Sequence, residues 1–286
     1  MLSSTPTVQR GVLMSLIKAE CLSLKKGSFY LVDNVDWTIE KGENWVLFGA
    51  NGCGKTTLLS MLAAYQSGNS GSVSLFDREV DEENFIELRQ RIGFVSSSFF
   101  GRYLHTESVE DIVLAGKFGT LGIHGEITDG DVRKMKALGR SLGIERKLRY
   151  PYDQLSRGQQ QRALIARALM SDPEVLLLDE PCSGLDLIGR ETFLHDVQNM
   201  AEQRHVAIVY VTHHTEEILP FFNKVALMKQ GKIVMSGDLH DVFTDEVLTD
   251  FFGVKAQTVW TDNHFFISLD LGCEQEGKRV FGEVIE

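Results

Sequence analysis

The chain is long enough, at 286 residues, to form one large domain or two modest ones around a buried core. Its 40 acidic residues against 29 basic ones give a net charge of −11, which argues against a nonspecific grip on nucleic acid or anionic lipid. No apolar run reaches the roughly 18–20 residues of a membrane span, and residues 1–11 lack the apolar core of a signal peptide. We therefore expect a cytoplasmic protein with no nucleic-acid partner.

The first hundred residues predict β structure around one glycine-rich segment. Short alternating runs within residues 14–48, LIKAECLSL, VDWTIEK and WVLFG, are divided by Gly and Asp-Asn turns and predict strands. After the glycine-rich segment the chain continues as a helix over residues 57–64. Further on, GSVSLFD predicts a second β segment, DEENFIELRQR a charged helix, and IGFVSSS another strand.

The glycine-rich segment GANGCGKTT, residues 49–57, fits the phosphate-binding pattern G-x-x-x-x-G-K-[ST] and is called the phosphate loop below. A predicted strand precedes it and a helix follows, which is the context that the pattern requires. Glycines let backbone N–H groups approach phosphate oxygens, Lys55 reaches the β- and γ-phosphates, and the Thr56 hydroxyl helps to hold Mg²⁺. The predicted contacts to ATP are Gly49, Ala50, Asn51, Gly52, Cys53, Gly54, Lys55, Thr56 and Thr57.

Between about residues 99 and 160 the pattern becomes helical. TESVEDIVLAGK and DGDVRKMKALGRSLG have helical spacing, and Thr106 is the predicted cap of the first helix. The segment LSRGQQQR then leads into an apolar helical run. Ser156 and Gly158 lie where that helix begins, so backbone N–H groups and the positive end of the helix dipole face an anion. The chain therefore has a second anion-facing segment about a hundred residues after the first.

Patterns of a parallel sheet follow this helical part. VLLLDE, HVAIVYVTH and KVALMKQGKIVMSG are continuous apolar runs, which predict strands buried on both faces. The first of them ends in Asp179 and Glu180, at the predicted carboxyl edge of the sheet beside the phosphate loop. Asp179 is a predicted Mg²⁺ ligand together with Thr56, and Glu180 is placed to polarise an attacking water as general base.

Residues 246–286 are predicted to be a C-terminal extension. Its aromatic stretch, FFGVKAQTVWTDNHFF, indicates appended β structure, and the paired phenylalanines indicate burial against another surface. Three roles stay open for it: covering the rest of the domain, contacting a second copy, or binding a regulator.

Five motifs in this order resemble those of the ATP-binding-cassette ATPases. They are the phosphate loop, LSRGQ, DEP after the buried strand, SGLD at 183–186 and VTH at 211–213. The resemblance covers residues 14–245 and implies an α/β fold: a P-loop NTPase core with a mixed or parallel sheet, an N-terminal antiparallel β subdomain and a helical insertion at about 99–160.

The resemblance also implies that two chains enclose two ATP molecules head to tail. Ser156, Gly158 and Gln159 then contact the ATP held by the partner's phosphate loop, which accounts for the second anion-facing segment. Asp186 lies at the seam of this homodimer, and His213 touches the γ-phosphate. The implied catalytic residues are Glu180, His213 and Lys55, with ATP and Mg²⁺ as the bound groups.

The leading functional interpretation is ATP hydrolysis by the nucleotide-binding subunit of a transporter, peripheral at the inner face of the cell membrane. Membrane permease subunits are the implied partners, docking on the helical insertion and on the loop around residues 96–100. The alternative is a soluble ATPase of the same family with an assembly or regulatory role. A switch that binds nucleotide and barely hydrolyses it is disfavoured, because Glu180 and His213 are both present.

Two departures from the family pattern concern the nucleotide. Related transport ATPases normally carry IGYVPQ where this chain has IGFVSSS, so Ser97 replaces a glutamine that reaches Mg²⁺ and the attacking water. Serine is shorter and acts there only through an intervening water. The segment GFVSSSF resembles that of a subgroup of the family assigned to molybdate-type transport. The residue that stacks on adenine stays open, since Phe29 and Tyr30 are candidates while spacing favours Lys26. Core packing is an equally good interpretation of either aromatic.

Overall fold

The computed structural model of the protein describes residues 15–261 and 264–271, so the last part of the predicted C-terminal extension lies outside the described residues. The strands are β1 (Ser15–Lys26), β2 (Phe29–Glu40), β3 (Trp45–Phe48), β4 (Ser70–Leu75), β5 (Arg78–Glu79), β6 (Ile92–Ser96), β7 (Val175–Asp179), β8 (Ala207–Thr212), β9 (Lys224–Lys229), β10 (Lys232–Asp238), β11 (Lys255–Trp260) and β12 (Phe265–Asp270). The α-helices are α1 (Lys55–Leu62), α2 (Phe85–Arg89), α3 (Ser97–Phe100), α4 (Val109–Ala115), α5 (Asp129–Ser141), α6 (Arg157–Leu169), α7 (Leu187–Arg204), α8 (Leu239–Val242) and α9 (Asp245–Phe252).

A six-stranded mixed sheet forms the centre of the molecule, in the order β10-β9-β3-β8-β7-β6. Its strands from β9 to β6 pair in parallel, and β10 pairs antiparallel with β9. All residues of β3, β7 and β8 are buried, as expected for strands covered on both faces. This architecture confirms the predicted α/β core with a mixed sheet.

Because of the register of the parallel strands, three chain segments lie at one edge of the central sheet. Ser96 of β6 pairs with Asp179 of β7, and Asp179 pairs with Val211 of β8. Parallel strands all end at the same edge of a sheet, so the segments that follow them meet there. Glu180 follows β7 and His213 follows β8, so these two residues lie close together. Both are beside the phosphate loop, which follows β3.

The run KVALMKQGKIVMSG was expected to be buried throughout, and this prediction was wrong for its second half. Gln230 and Gly231 have φ angles of 50° and 82°, and they form a two-residue turn that folds β10 back onto β9. The resulting strand lies at the edge of the sheet, where Val234 and Met235 are 51% and 42% exposed. The turn residues divide one apolar run into a buried strand and an edge strand.

The predicted antiparallel β subdomain is present as a four-stranded sheet in the order β2-β1-β4-β5. Phe29 and Tyr30 begin β2 directly after a turn, and they are 58% and 47% exposed. The core-packing interpretation of these two aromatics was therefore wrong. They lie beyond the part of β2 whose alternate residues, such as Val35 and Trp37, face the core.

The helical insertion contains α4 and α5 and leads into α6. The predicted cap at Thr106 was wrong: the Ser108 hydroxyl accepts a hydrogen bond from Asp111 N at 3.2 Å and caps α4. The helix begins later because Tyr152 N donates to Glu107 O at 3.0 Å, which holds the preceding residues in an extended pairing. Among residues 15–261 and 264–271, no helix is both long and apolar enough to cross a bilayer.

The described part of the C-terminal extension packs on the rest of the domain. Strands β11 and β12 pair antiparallel, which confirms the predicted β structure, whereas the two phenylalanines of the FFG stretch end helix α9 instead. Phe265 is fully buried, and its ring stacks on Phe243 with centroids 4.7 Å apart and planes 4° apart. The Trp260 ring also packs on Phe265, with ring centroids 4.4 Å apart. Covering the domain is thus one role that these residues have.

Candidate nucleotide-binding and catalytic site

The phosphate loop lies between β3 and α1, in the context that its sequence predicted. Gly54 has a φ of 112°, and a Cβ added there would lie 2.2 Å from Leu31 O, so only glycine fits. The Lys55 side chain is 4% exposed, and its ammonium donates to Gly49 O at 2.8 Å and to Ala50 O at 3.0 Å. The loop therefore wraps closely around the lysine that is predicted to meet the phosphates.

The tip of the loop is open to solvent. Ala50, Asn51 and Gly52 are exposed, and Thr57 is half-buried at the start of α1. Burial raises the pKa of the neighbouring Cys53 thiol above its usual value. A raised pKa disfavours the reactive thiolate, which supports a packing role for Cys53.

The two predicted metal ligands are in direct contact. Thr56 Oγ1 donates to Asp179 Oδ1 at 3.1 Å. Asp179 is 5% exposed, and burial raises the pKa of its carboxyl group. A hydroxyl and a carboxylate are the hard oxygen donors that Mg²⁺ prefers, and a cation would offset the cost of burying this charge. The residues therefore fit a magnesium ion that arrives with ATP.

The three predicted catalytic side chains meet at one point. Glu180 Oε1 lies 3.5 Å from Lys55 Nζ and 3.1 Å from His213 Nδ1, which is in position to donate to the carboxylate. Glu180 has a φ of 45°, a conformation that few non-glycine residues adopt, and its N–H donates to Val211 O at 3.0 Å. The neighbouring strand thus holds this unusual backbone in place. His214 faces Glu216 at 3.6 Å instead.

A buried polar cluster that the sequence analysis did not single out lies beneath these residues. Tyr210 OH and Thr212 Oγ1 donate to Glu217 Oε2 at 3.0 and 2.7 Å. The Tyr210 hydroxyl also lies 3.3 Å from Cys182 Sγ, and burial raises the pKa of that thiol to about 12. Thr212 Oγ1 accepts from His214 N at 2.9 Å. The cluster links the segment that follows Glu180 to the segment that carries the histidines.

Glu217→Gln is expected to stabilise the protein at neutral and alkaline pH. Burial raises the pKa of Glu217 in the folded state, so the stability associated with its protonated form is present at acid pH and is lost as pH rises through that pKa. Glutamine has no charge and keeps an acceptor for Tyr210 and Thr212. Urea unfolding should show a gain on the order of 1 kcal/mol near pH 8 and almost none near pH 4. Equal gains at both pH values would contradict the raised pKa.

The LSRGQ segment forms an exposed helix start. Ser156 caps α6, because its hydroxyl accepts from Gln159 N at 3.4 Å while Ser156 N donates to Gln159 Oε1 at 3.1 Å. Gly158 is half-buried next to Leu185, and Asp186 caps α7 by accepting from the N–H three residues later, at 2.7 Å. These local contacts order both helix starts, and their contact with a partner's ATP stays a prediction.

The loop after β6 differs from the expectation at Ser97. Its hydroxyl donates to Gln161 Oε1 on α6 at 2.7 Å, so it does not face the metal ligands. Its two neighbours do: Ser96 and Ser98 donate to Asp179 Oδ2 at 2.6 and 3.2 Å. The three consecutive residues are all serine, so residue type alone does not indicate which of them faces Asp179.

Comparisons with known proteins find similar sequences and similar structures. The family model described as ABC transporter matches residues 32–183. The ABC transporter ATP-binding protein YlmA of Bacillus subtilis is 38% identical over 257 residues, which cover 88% of this chain and 97% of that protein. The spermidine/putrescine import ATP-binding protein PotA of Thermotoga maritima is 31% identical over 254 residues, covering 86% of this chain and 67% of that protein. A dimeric, post-hydrolysis structure of the ATP-binding cassette MJ0796 with ADP and Pi has a TM-score of 0.68 at 26% identity, covering 78% of this chain and 98% of that one.

Proposed function

The chain belongs to the ATP-binding-cassette ATPases, and from this premise we propose that it is the nucleotide-binding subunit of a membrane transporter. It hydrolyses ATP as a head-to-tail homodimer and drives separate permease subunits at the inner face of the cell membrane. The observation that carries the proposal is the convergence of Lys55, Glu180 and His213 next to the Thr56–Asp179 pair.

Hydrolysis at this site depends on positioning and charge more than on covalent chemistry. The phosphate loop and Lys55 hold the phosphates, while Glu180 accepts the proton of the attacking water. His213, in contact with Glu180, keeps that carboxylate oriented and lies where the γ-phosphate is expected. Thr56 and Asp179 would hold Mg²⁺, and the bound ion would supply positive charge near the phosphate oxygens.

The head-to-tail dimer is supported by the exposed start of α6. Ser156 and Gly158 begin a helix of 13 residues whose positive dipole end is available to an anion. The related cassette MJ0796 is dimeric with bound ADP and Pi. In the proposed dimer each ATP lies between the phosphate loop of one chain and the LSRGQ segment of the other.

The transporter assignment is supported by the relatives, which are ATP-binding proteins of ABC transporters and include an import protein. The permease subunits would dock on the helical insertion and on α3, and the chain would stay in the cytoplasm at the membrane face. The alternative, a soluble ATPase in assembly or regulation, shares the catalytic site and differs only in the partner.

ATP turnover measured against protein concentration tests the catalytic dimer. The rate per chain should rise with concentration as dimers form, and a constant rate from a chain that stays monomeric on a sizing column would contradict the proposal. Capture of the tagged chain from detergent-solubilised membranes of its native cell tests the partner. A multi-spanning permease that copurifies and changes the ATPase rate would support transport, whereas full turnover without a membrane partner would favour the soluble alternative.

A further inference from the structure

Three consecutive serines end β6 and begin α3, and their side chains have different surroundings. Ser97, at the position where related transport ATPases carry glutamine, donates to Gln161 Oε1 at 2.7 Å. Gln161 is 4% exposed and lies on α6. Ser97 therefore connects this loop to α6, the helix that begins within the LSRGQ segment, and its hydroxyl already has a hydrogen-bond partner there.

Ser96 is fully buried and fixes the orientation of Asp179. Its hydroxyl donates to Asp179 Oδ2 at 2.6 Å and accepts from Phe99 N at 3.2 Å. Because an ionised carboxylate can only accept, the contact at 2.6 Å directs the Ser96 proton to Asp179. Asp179 is thus held from both sides, by Thr56 on Oδ1 and by Ser96 on Oδ2.

Ser98 contacts the same carboxylate from an exposed position. Its hydroxyl lies 3.2 Å from Asp179 Oδ2 and 3.0 Å from the Ser96 hydroxyl. It also lines an open cavity of about 360 Å³ together with Thr56 and Gln66. Thr56 on α1 and Ser98 on α3 therefore both contact Asp179 and both line this cavity.

We propose that Ser98, and not Ser97, is the residue of this loop that faces the magnesium ion, by binding a water of its shell, and that Ser96 fixes the Asp179 ligand. Mg²⁺ keeps several of its waters in protein sites, so a hydroxyl beside the ligands can hold the ion through one of them. The inference rests on the proposed nucleotide site and names which side chains of this chain complete it.

The shift by one residue follows from where the helix starts. Ser96 ends β6 with an extended backbone and Ser97 is the first residue of α3, so the three serines span a junction between a strand and a helix. At this junction the Ser96 and Ser98 hydroxyls lie on the side of Asp179, and the Ser97 hydroxyl lies on the side of Gln161. By its position in the sequence, Ser97 corresponds to the family's glutamine. By its contacts, Ser98 is the residue that takes the role of that glutamine.

Mn²⁺ binding to the full chain with a non-hydrolysable ATP analogue, followed by EPR, tests the inference without turnover. Ser98→Ala should weaken Mn²⁺ binding about three- to tenfold, the loss expected for one hydrogen bond, and Ser98→Thr should restore it. Ser97→Ala is the matched control and should change the affinity less than twofold. Because Ser98 is exposed, its replacement leaves the core intact.

The outcomes separate this inference from the proposed function. If the wild-type chain binds neither the analogue nor Mn²⁺, the nucleotide site itself is wrong. If the wild type binds both and Ser98→Ala binds Mn²⁺ as tightly, only the role of Ser98 is wrong. A loss in Ser97→Ala with none in Ser98→Ala would return the metal-facing role to the aligned position.

Discussion

Glu180→Gln is expected to abolish ATP turnover while ATP still binds. Glutamine has nearly the same shape and can keep the contacts near Lys55 and His213, but it cannot accept the proton of the attacking water. The rate should fall about 10²–10⁴-fold, as for the loss of a general base. Because hydrolysis reopens the proposed dimer, the variant with ATP should elute from a sizing column as a persistent dimer.

Glu87→Gln is the matched control for this experiment. Glu87 forms an exposed ion pair with Arg78, so losing its charge should leave turnover close to that of the wild type. A Glu180→Gln variant that kept more than about a tenth of the wild-type rate would show that another group accepts the proton. It would also mean that the contact between Glu180 and His213 does not identify Glu180 as the catalytic base.

A mixture of two inactive variants, Lys55→Ala and Gly158→Asp, is expected to regain activity. The first lacks the phosphate-loop lysine, and the second places a carboxylate where an anion is predicted to bind. In a mixed head-to-tail dimer one site combines the intact phosphate loop of one chain with the intact LSRGQ segment of the other. Half of the dimers are mixed and each has one intact site of two, so turnover should reach about a quarter of the wild-type rate.

The chain with both substitutions provides the matched control. Mixed with Lys55→Ala, it leaves no intact phosphate loop, so this mixture should stay inactive. Gly158→Asp is expected to fold, because its added Cβ would meet only the flexible end of Leu185, at 3.1 Å. A mixture no more active than its parents, from variants that still form dimers, would show that the LSRGQ segment does not complete the neighbour's site.

The sequence predicted those parts of the site that are contiguous or that follow from parallel strands. The phosphate loop is one stretch of chain, so its pattern already contains the conformation that Gly54 requires. Asp179 and Glu180 directly end a buried strand, and His213 follows another. Since parallel strands end at a common edge, the order of these residues in the sequence was enough to expect them near the phosphates.

The position of the buried cluster around Glu217 could not be predicted in this way. Glu217 lies in a surface-like, charged stretch of sequence, TEEI, and only the fold shows that it is 4% exposed beneath the site. Its partners Tyr210 and Thr212 are two residues apart on β8 and face the same side. The alternation was visible in the sequence, but the carboxylate that both hydroxyls meet was not.

The sequence by itself determined the family, the phosphate loop and the candidate catalytic residues, because each depends on residue types at short, fixed spacings. Only the tertiary structure decided that the last apolar run folds back as an edge strand and that Ser96 and Ser98, not Ser97, contact Asp179. Both outcomes depend on where one element ends and the next begins. A shift of one residue at such a junction turns a side chain to another face, and the composition of the segment stays the same.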